Sequence, residues 1–477
     1  MDGRALQAPA PDPHWIRNVH RFIAIFVLLI TWALTNPMFA APDEDLHLAR
    51  TQSTWLGDMS PPYSTDGVPV GAANCFKFQP TITADCMTGY WGSETNQQLL
   101  PSTDGYPPVF YFIAGAPTRL VDDLDGAYIT RSWLAFLCAL VVAAALRRLS
   151  DLRPDGLAVV ATVVALTPMS IFLMSTINPS GLSIAFGTLA VATGLTWRRT
   201  SQPRELAILG LSIGAIVLLR RDGLIIGSLL GGTMVAPRLT ALTSTIRCRN
   251  RRLAAATAIA LVAALAFLSW SWDFISGQLS SDFSLEHGRL TVFYANHYLH
   301  QLVGIFGWLD TLVTGTTRTI CFVTMSALVG MSIWVRDRRS LEGVFLLTSC
   351  CALPLAFGFF RAQYFQTRYV LPLFIAGFVL LVVLHVPDLD RLRQWTAVRR
   401  FLLVGVFVTH FTAFLTNMHR YSHGESAEIS IFTEPAWEPP HLGYFASLVA
   451  GLVATALFTT LISWRASDDH PSSATPQ

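Results

Sequence analysis

The sequence predicts an all-α polytopic membrane protein, a bundle of about twelve transmembrane helices with a large first outer loop carrying interfacial helices. Three observations predict it. Of 477 residues, 52% are hydrophobic and only 13% charged, about half the charged share of a soluble domain. The mean hydropathy is +0.46. Apolar runs of about 18 residues or more, long enough to cross hydrocarbon, recur along the whole chain.

Taken in order, the spans fall near 21–41, 127–146, 156–176, 180–197, 205–219, 223–239, 253–270, 316–335, 341–360, 369–386, 400–417 and 442–464. Only the brief "LLRRDG" separates the fifth from the sixth. The first run ends in "MFAAP", which looks like a cleavage site. A long preceding tail and the need to anchor the first helix favour a retained span instead.

Arginine beside the spans sets the orientation. "RRLSDLRPDG", "WRRTSQPRE", "RCRNRR", "VRDRRSLEG" and "RLRQWTAVRR" fall on one side, the cytoplasmic one. Segments 42–126, 271–315 and 418–441 then lie outside, with "TINPSG" and "RAQYFQTRY". Residues 1–477 form a single membrane domain in the plasma membrane, with cytoplasmic tails at 1–20 and 465–477, the latter disordered. Arg220 and Arg221 fall outside against the trend, so either the spans are miscounted there or these arginines work on the outer face.

The formal net charge of +2, with no basic stripe, argues against a nucleic-acid partner. Cys138, Cys321, Cys350 and Cys351 lie in apolar runs as small hydrophobes, and Cys248 lies in a basic loop. Cys75 and Cys86 share a polar loop; outside the cell they form a disulfide, and otherwise they are free thiols. No cysteine or histidine cluster has zinc spacing.

The charge at the first outer mouth is the main functional signal. "PDEDLHLARTQSTWL" begins with a proline suited to a first helical turn and runs to Gly57, which can end the helix. Asp43, His47 and Arg50 then share one face at i, i+4 and i+7, with Leu46, Leu48 and Trp55 as interfacial anchors. The plainer account is that acids in a first turn favour the helix dipole, each by about 0.3–1 kcal/mol. The neighbouring outer segments add weight: Tyr106 in "YPPVFYFIAG", Trp308 and Asp310 in "GWLDT", Arg361, Gln366, Arg368 and Tyr369 in "RAQYFQTRYVLP". Carboxylates, aromatics and arginines at one membrane surface suit an amphiphile with a phosphate head. Plainer roles compete here too: a chain break at Tyr106, an interfacial anchor at Trp308, a span cap at Gln366 and Tyr369, and a span-to-span turn at Asn178. The outer-loop histidines His287, His297, His300, His419 and His423 lack ligand spacing.

"PDEDLHLAR", "YPPVFYFIAG", "INPSGL", "GWLDT" and "QTRYVLP" resemble, in order, landmarks of the bacterial family called domain of unknown function 2142, itself grouped by likeness with the GT-C superfamily of membrane glycosyltransferases. The resemblance covers most of the chain. It implies a GT-C-like bundle that takes sugar from a polyprenyl-phosphate donor on the outer face, with Asp43 or Glu44 as the acidic residue of the first outer loop. The family motif of Pro-Asp-Glu, a histidine and a following basic residue matches Asp43, Glu44, His47 and Arg50.

The chemistry follows independently. Inverting transfer needs a carboxylate to take the acceptor proton and a cation to stabilise the departing phosphate. Asp43 is the expected base, with His47 orienting it or the acceptor. Glu44 either binds the acceptor or, with Asp43, holds a divalent cation, for which one carboxylate pair is thin support. Arg368 is the expected phosphate clamp, with Arg361, Arg221 and Arg50 as competitors. The acceptor that the resemblance implies is an envelope glycan or glycolipid. A transporter or flippase would instead carry mid-span charges and broken helices, and a non-catalytic assembly partner would lack the base.

Overall fold

Helix α1, Pro13–Thr35, opens a computed structural model that describes residues 13–57, 68–88, 106–117, 123–220, 222–238, 284–293, 295–334, 341–360, 366–386, 395–427 and 433–462. Pro37 biases Asn36 away from helical backbone and donates no hydrogen bond, so α1 stops at Thr35 rather than running to 41. A buried turn leads into α2, Glu44–Leu56, which Gly57 ends at φ 92. Short helix α3, Val109–Ala114, packs beside α2. Gly115 is required there, because a Cβ would meet the Trp55 ring at 2.0 Å.

The bundle proper follows. Helix α4, Leu124–Leu152, lies against α1 and against α7, Pro179–Thr200. Between them, α5 (Leu157–Ala165) and α6 (Pro168–Met174) are bent by 75° from one another. Pro168 suits the first turn of α6 but has no N–H to continue α5, which places the break. Helices α8, Pro203–Leu219, and α9, Gly223–Val235, pack on α7. Helices α10 (Leu285–Phe293) and α11 (Ala295–Val303) lead into a two-residue hairpin. Its strands, β1 (Ile305–Phe306) and β2 (Thr311–Leu312), pair antiparallel, Ile305 with Leu312. The last helices are α12 (Gly315–Trp334), α13 (Glu342–Phe360), α14 (Leu371–His385), α15 (Trp395–His423) and α16 (Tyr444–Ile462).

Small residues allow close helix contacts, as membrane bundles require. A Cβ on Gly187 of α7 would meet Pro372 of α14 at 2.7 Å, and one on Gly451 of α16 would meet the Phe414 ring of α15 at 2.2 Å. Helix α7 is central, with 89% of its apolar window buried.

The chain is nearly all helical. Among the described residues, six helices are long and apolar enough to cross a membrane, seven if the α5–α6 pair is one span. Helices α13 and α14 are shorter apolar helices. The expected twelve are therefore not reached by that measure, and the span expected at 253–270 lies outside the described residues. The span expected at 400–417 is part of the 29-residue α15, whose last turns bury Asn417, Arg420 and Tyr421. Helix α2 is packed into the protein rather than laid along its surface. Its residues are buried except for the half-buried Leu46, Gln52 and Trp55 and the exposed Leu56.

Candidate active site at the start of helix α2

The turn from Asn36 to Pro42 is buried, so each carbonyl there needs a partner. Side chains from distant elements supply them. The Asn36 carbonyl accepts from the Tyr128 hydroxyl at 3.1 Å and from Arg131 Nη1 at 2.9 Å. Pro37 accepts from Arg131 Nη2 at 2.8 Å, Phe39 from Trp308 Nε1 at 3.1 Å, and Ala40 from the Tyr421 hydroxyl at 3.4 Å. Pro42 accepts from Asn178 Nδ2 at 3.4 Å. This mesh holds the entry to α2, where Asp43 takes a left-handed conformation, φ 63, as N-cap.

That conformation sends the two adjacent carboxylates to different environments. Glu44 is wholly buried against Arg131 of α4, with Nε to Oε1 at 2.7 Å and Nη2 to Oε2 at 2.6 Å. It also accepts from the backbone N–H of Ile177 at 2.9 Å and of Ala41 at 3.4 Å. Its oxygens are thus occupied by protein, and the Asp43–Glu44 pair does not converge as a cation site. Among the described residues no three histidine, cysteine or acidic side chains cluster as metal ligands. Asp45 is buried as well, accepting from the Gly71 and Leu46 N–H groups, and burial pushes its carboxyl above the usual range.

Asp43 instead faces Arg368, with Nη2 to Oδ2 at 3.2 Å; the Asp43 side chain is 35% exposed and that of Arg368 3%. Among the described residues, Arg368 Nε and Nη1 are buried with no hydrogen-bond partner. A buried guanidinium with idle donors is costly unless a ligand completes it. Arg368 comes from a one-turn 3-10 helix, Thr367–Tyr369. That turn is fixed where the Thr367 N–H donates to Gln301 Oε1 at 2.8 Å and its hydroxyl donates to the Tyr298 carbonyl.

Four more side chains complete the cluster. Arg220, buried at the end of α8, holds Asp222 at 2.8 Å and donates to the Ser180 hydroxyl. Its guanidinium lies 4.5 Å from the Tyr369 ring centre. Tyr106 interacts electrostatically with Arg220, Tyr369 and Arg368, and burial pushes its phenol above the usual value. His47 is buried with Nδ1 3.0 Å from the Tyr111 hydroxyl, and its ring stands edge-on to Tyr106 at 5.4 Å. Burial, with Arg368, Arg220 and Arg50 nearby, holds its pKa at about 3 despite Asp43, so the imidazole is neutral at pH 7. Arg50 stacks over the same Tyr111 ring at 4.1 Å and donates to the Tyr106 carbonyl at 2.9 Å.

The structure thus gathers Asp43, His47, Arg50, Tyr106, Arg368 and Tyr369. Gln366 caps the 3-10 turn, with Oε1 buried and without a partner among the described residues. Asn178 caps α7, accepting from the Ser180 N–H at 2.9 Å. Trp308 and Asp310 belong to a neighbouring group. Lys77 lies 3.6 Å from the Trp308 ring centre, and Asp310 faces Arg420 at 3.5 Å. The loop that carries Lys77 is closed by a Cys75–Cys86 disulfide. Arg221 and Arg361 lie outside the described residues. Arg220, Arg131 and Tyr111 are the members that sequence reasoning left off the list of site residues. Of these, only Arg220 had left a signal, as a charge on the wrong side of the membrane.

A family model described as a predicted membrane protein, DUF2142, matches residues 26–377. The chain belongs to the DUF2142 family. The matched stretch of this DUF2142 protein holds every member of the cluster, from Asp43 to Tyr369; α15 and α16 follow it. No curated protein matches the chain. Among solved structures it is similar to a crystal structure of ArnT from Cupriavidus metallidurans bound to undecaprenyl phosphate. The alignment covers 94% of this chain and 75% of that one, at 12% identity and a TM-score of 0.47, a distant likeness.

Proposed function

We propose that this protein is a GT-C-like membrane glycosyltransferase. It moves a sugar from a polyprenyl-phosphate donor to a cell-envelope glycan or lipid on the outer face of the membrane. The observation that supports this reading is the Asp43–Arg368 pair: a partly exposed carboxylate beside a buried guanidinium with idle donors. The landmark motifs of the sequence, with the GT-C likeness they imply, point the same way.

In this reading the donor phosphate replaces Asp43 on Arg368, since in-line displacement puts base and leaving phosphate on opposite sides of the anomeric carbon. Arg368 binds the phosphate bidentately, and Arg220 adds a second positive charge. The freed Asp43 carboxylate takes the proton of the acceptor hydroxyl as its oxygen attacks the anomeric carbon. The bond from that carbon to the phosphate oxygen breaks, and its electron pair leaves on the polyprenyl phosphate, stabilised by the arginines. Neutral His47 orients the acceptor. Glu44 positions the turn and takes no part in proton transfer.

The test supplies the purified chain with a panel of labelled polyprenyl-phosphate sugars and extracts of envelope acceptors. Transfer by wild type, lowered roughly a hundredfold or more in Asp43→Asn, is the expected result. Transfer that survives in Asp43→Asn above that level overturns the assigned base.

One observation favours a second reading, a transporter or flippase for such glycolipids. The 75° break between α5 and α6 is a discontinuous helix of the kind that lines transport sites. Proteoliposomes that translocate a labelled glycolipid without transferring sugar would decide for it. Neither activity would leave a non-catalytic assembly partner.

A further inference from the structure

A large cavity lies far from Asp43, at the opposite end of α1. It measures about 760 Å3, within the range of about 300–1,000 Å3 that accommodates a ligand the size of a drug molecule. Residues of helices α1, α4, α7 and α8 line it.

Its lining changes character along the helix axes. Toward the middle of the bundle it is apolar: Val19 and Phe22 of α1, with Leu140, Ala143 and Ala144 of α4. At the helix ends it is cationic, with Arg147, Arg148, Arg199 and Arg204 facing the acids Asp151 and Glu205. Two positive charges are in excess. The acids do not cancel them evenly. Glu205 is bound to Arg148 at 2.7 Å, and Arg199 donates to the Leu152 carbonyl. Arg147 and Arg204 are exposed and form no ion pair among the described residues. In α4 the apolar run gives way to arginine at 147, the pattern of a span that ends at the water interface.

We propose that this cavity binds an anionic phospholipid of the bilayer, with its phosphate between Arg147 and Arg204 and an acyl chain along Phe22, Leu140 and Ala144. A basic pocket between membrane helices recognises an anionic headgroup in this way, and the apolar inner end matches a tail that a free phosphate does not have. The site is separate from the sugar-transfer reading and stands without it.

The test is native mass spectrometry of the full chain in neutral detergent, with equal dioleoyl phosphatidylglycerol and phosphatidylcholine. Two interface-level arginines predict a preference for phosphatidylglycerol of about thirtyfold, and Arg204→Ala alone should cut it about fivefold. Arg147→Ala with Arg204→Ala should abolish it. Both side chains are exposed, so thermal midpoints in phosphatidylcholine should match wild type. Equal retention of the two lipids by wild type overturns the proposal, as does a preference that survives the double substitution. Displacement of the lipid by an equal concentration of glycerol phosphate assigns the site to a free anion and overturns the lipid.

Discussion

Glu44 and Arg131, 87 residues apart, meet through two hydrogen bonds of 2.7 and 2.6 Å, with neither side chain reaching solvent. A buried pair of this kind matters most when it is half removed, because the survivor is left charged and unpaired. Glu44→Gln and Arg131→Met should each destabilise the protein by about 3–5 kcal/mol, and the Glu44→Met/Arg131→Met double variant by less than either. Thermal unfolding in detergent reads this directly. A Glu44→Gln protein as stable as wild type would remove the positioning role given to Glu44.

Asp43 should behave in the opposite way. Asparagine tolerates the left-handed backbone at φ 63, so Asp43→Asn should fold with a near-native thermal midpoint. Asp43→Ala should cost about 1–2 kcal/mol for the strained backbone. Under the proposed function, Asp43→Asn lowers transfer by roughly 10²–10⁴, the usual contribution of a general base. Stability and activity therefore separate at Asp43, and the ratio of the two losses between Asp43→Asn and Glu44→Gln is the discriminating measurement.

The helices were legible because hydrocarbon demands long apolar runs: α4, α7 and α12 lie where those runs predict them, and α1 overlaps its run but ends six residues early at Thr35, before Pro37. The stop of α2 was legible too, since Gly57 acts locally, but its start was not: Pro42 lies before the left-handed N-cap Asp43 rather than in the first turn. Pairing across the bundle was not. Arg131 falls inside the span expected at 127–146, and nothing local says that Glu44 lies against it. Arg420 and Tyr421 read as loop residues, because the carbonyls that satisfy them, those of Phe76, Gln79 and Ala40 among them, lie more than 300 residues away. The choice between Asp43 and Glu44 as the free carboxylate turned on one backbone angle at Asp43, which no spacing argument contains.

His47 gives a pH prediction. Its folded pKa, about 3, lies below the ordinary 6.5, chiefly through burial. Between those values the unfolded chain holds a proton that the folded protein refuses, so acidification favours unfolding. The stabilising contribution is complete above about pH 6.5 and is lost as pH falls toward 3. From pH 7 to pH 4.5 wild type should lose about 2–3 kcal/mol more than His47→Asn. Comparing the two proteins removes the opposite contribution of Asp45, whose raised pKa favours the folded state on acidification. Parallel pH profiles for the two proteins would show that His47 is not held neutral by the fold.

The Cys75–Cys86 disulfide should couple energetically to Arg420. The loop it closes, with a sequence separation of 11, supplies the carbonyls of Phe76, Gln79 and Ile82 to the buried Arg420 guanidinium. Opening such a loop costs about 3 kcal/mol in chain entropy alone. It also loosens a cradle that Arg420 cannot do without, since its one described acidic partner, Asp310, is 3.5 Å away. Cys75→Ser/Cys86→Ser and Arg420→Met should therefore be non-additive. Once the cradle is loose the arginine contributes less, and a double-mutant cycle on thermal stability should return a coupling of about 1 kcal/mol or more. Simple additivity would mean that the loop holds its shape without the disulfide, leaving the crosslink only an effect on the unfolded chain.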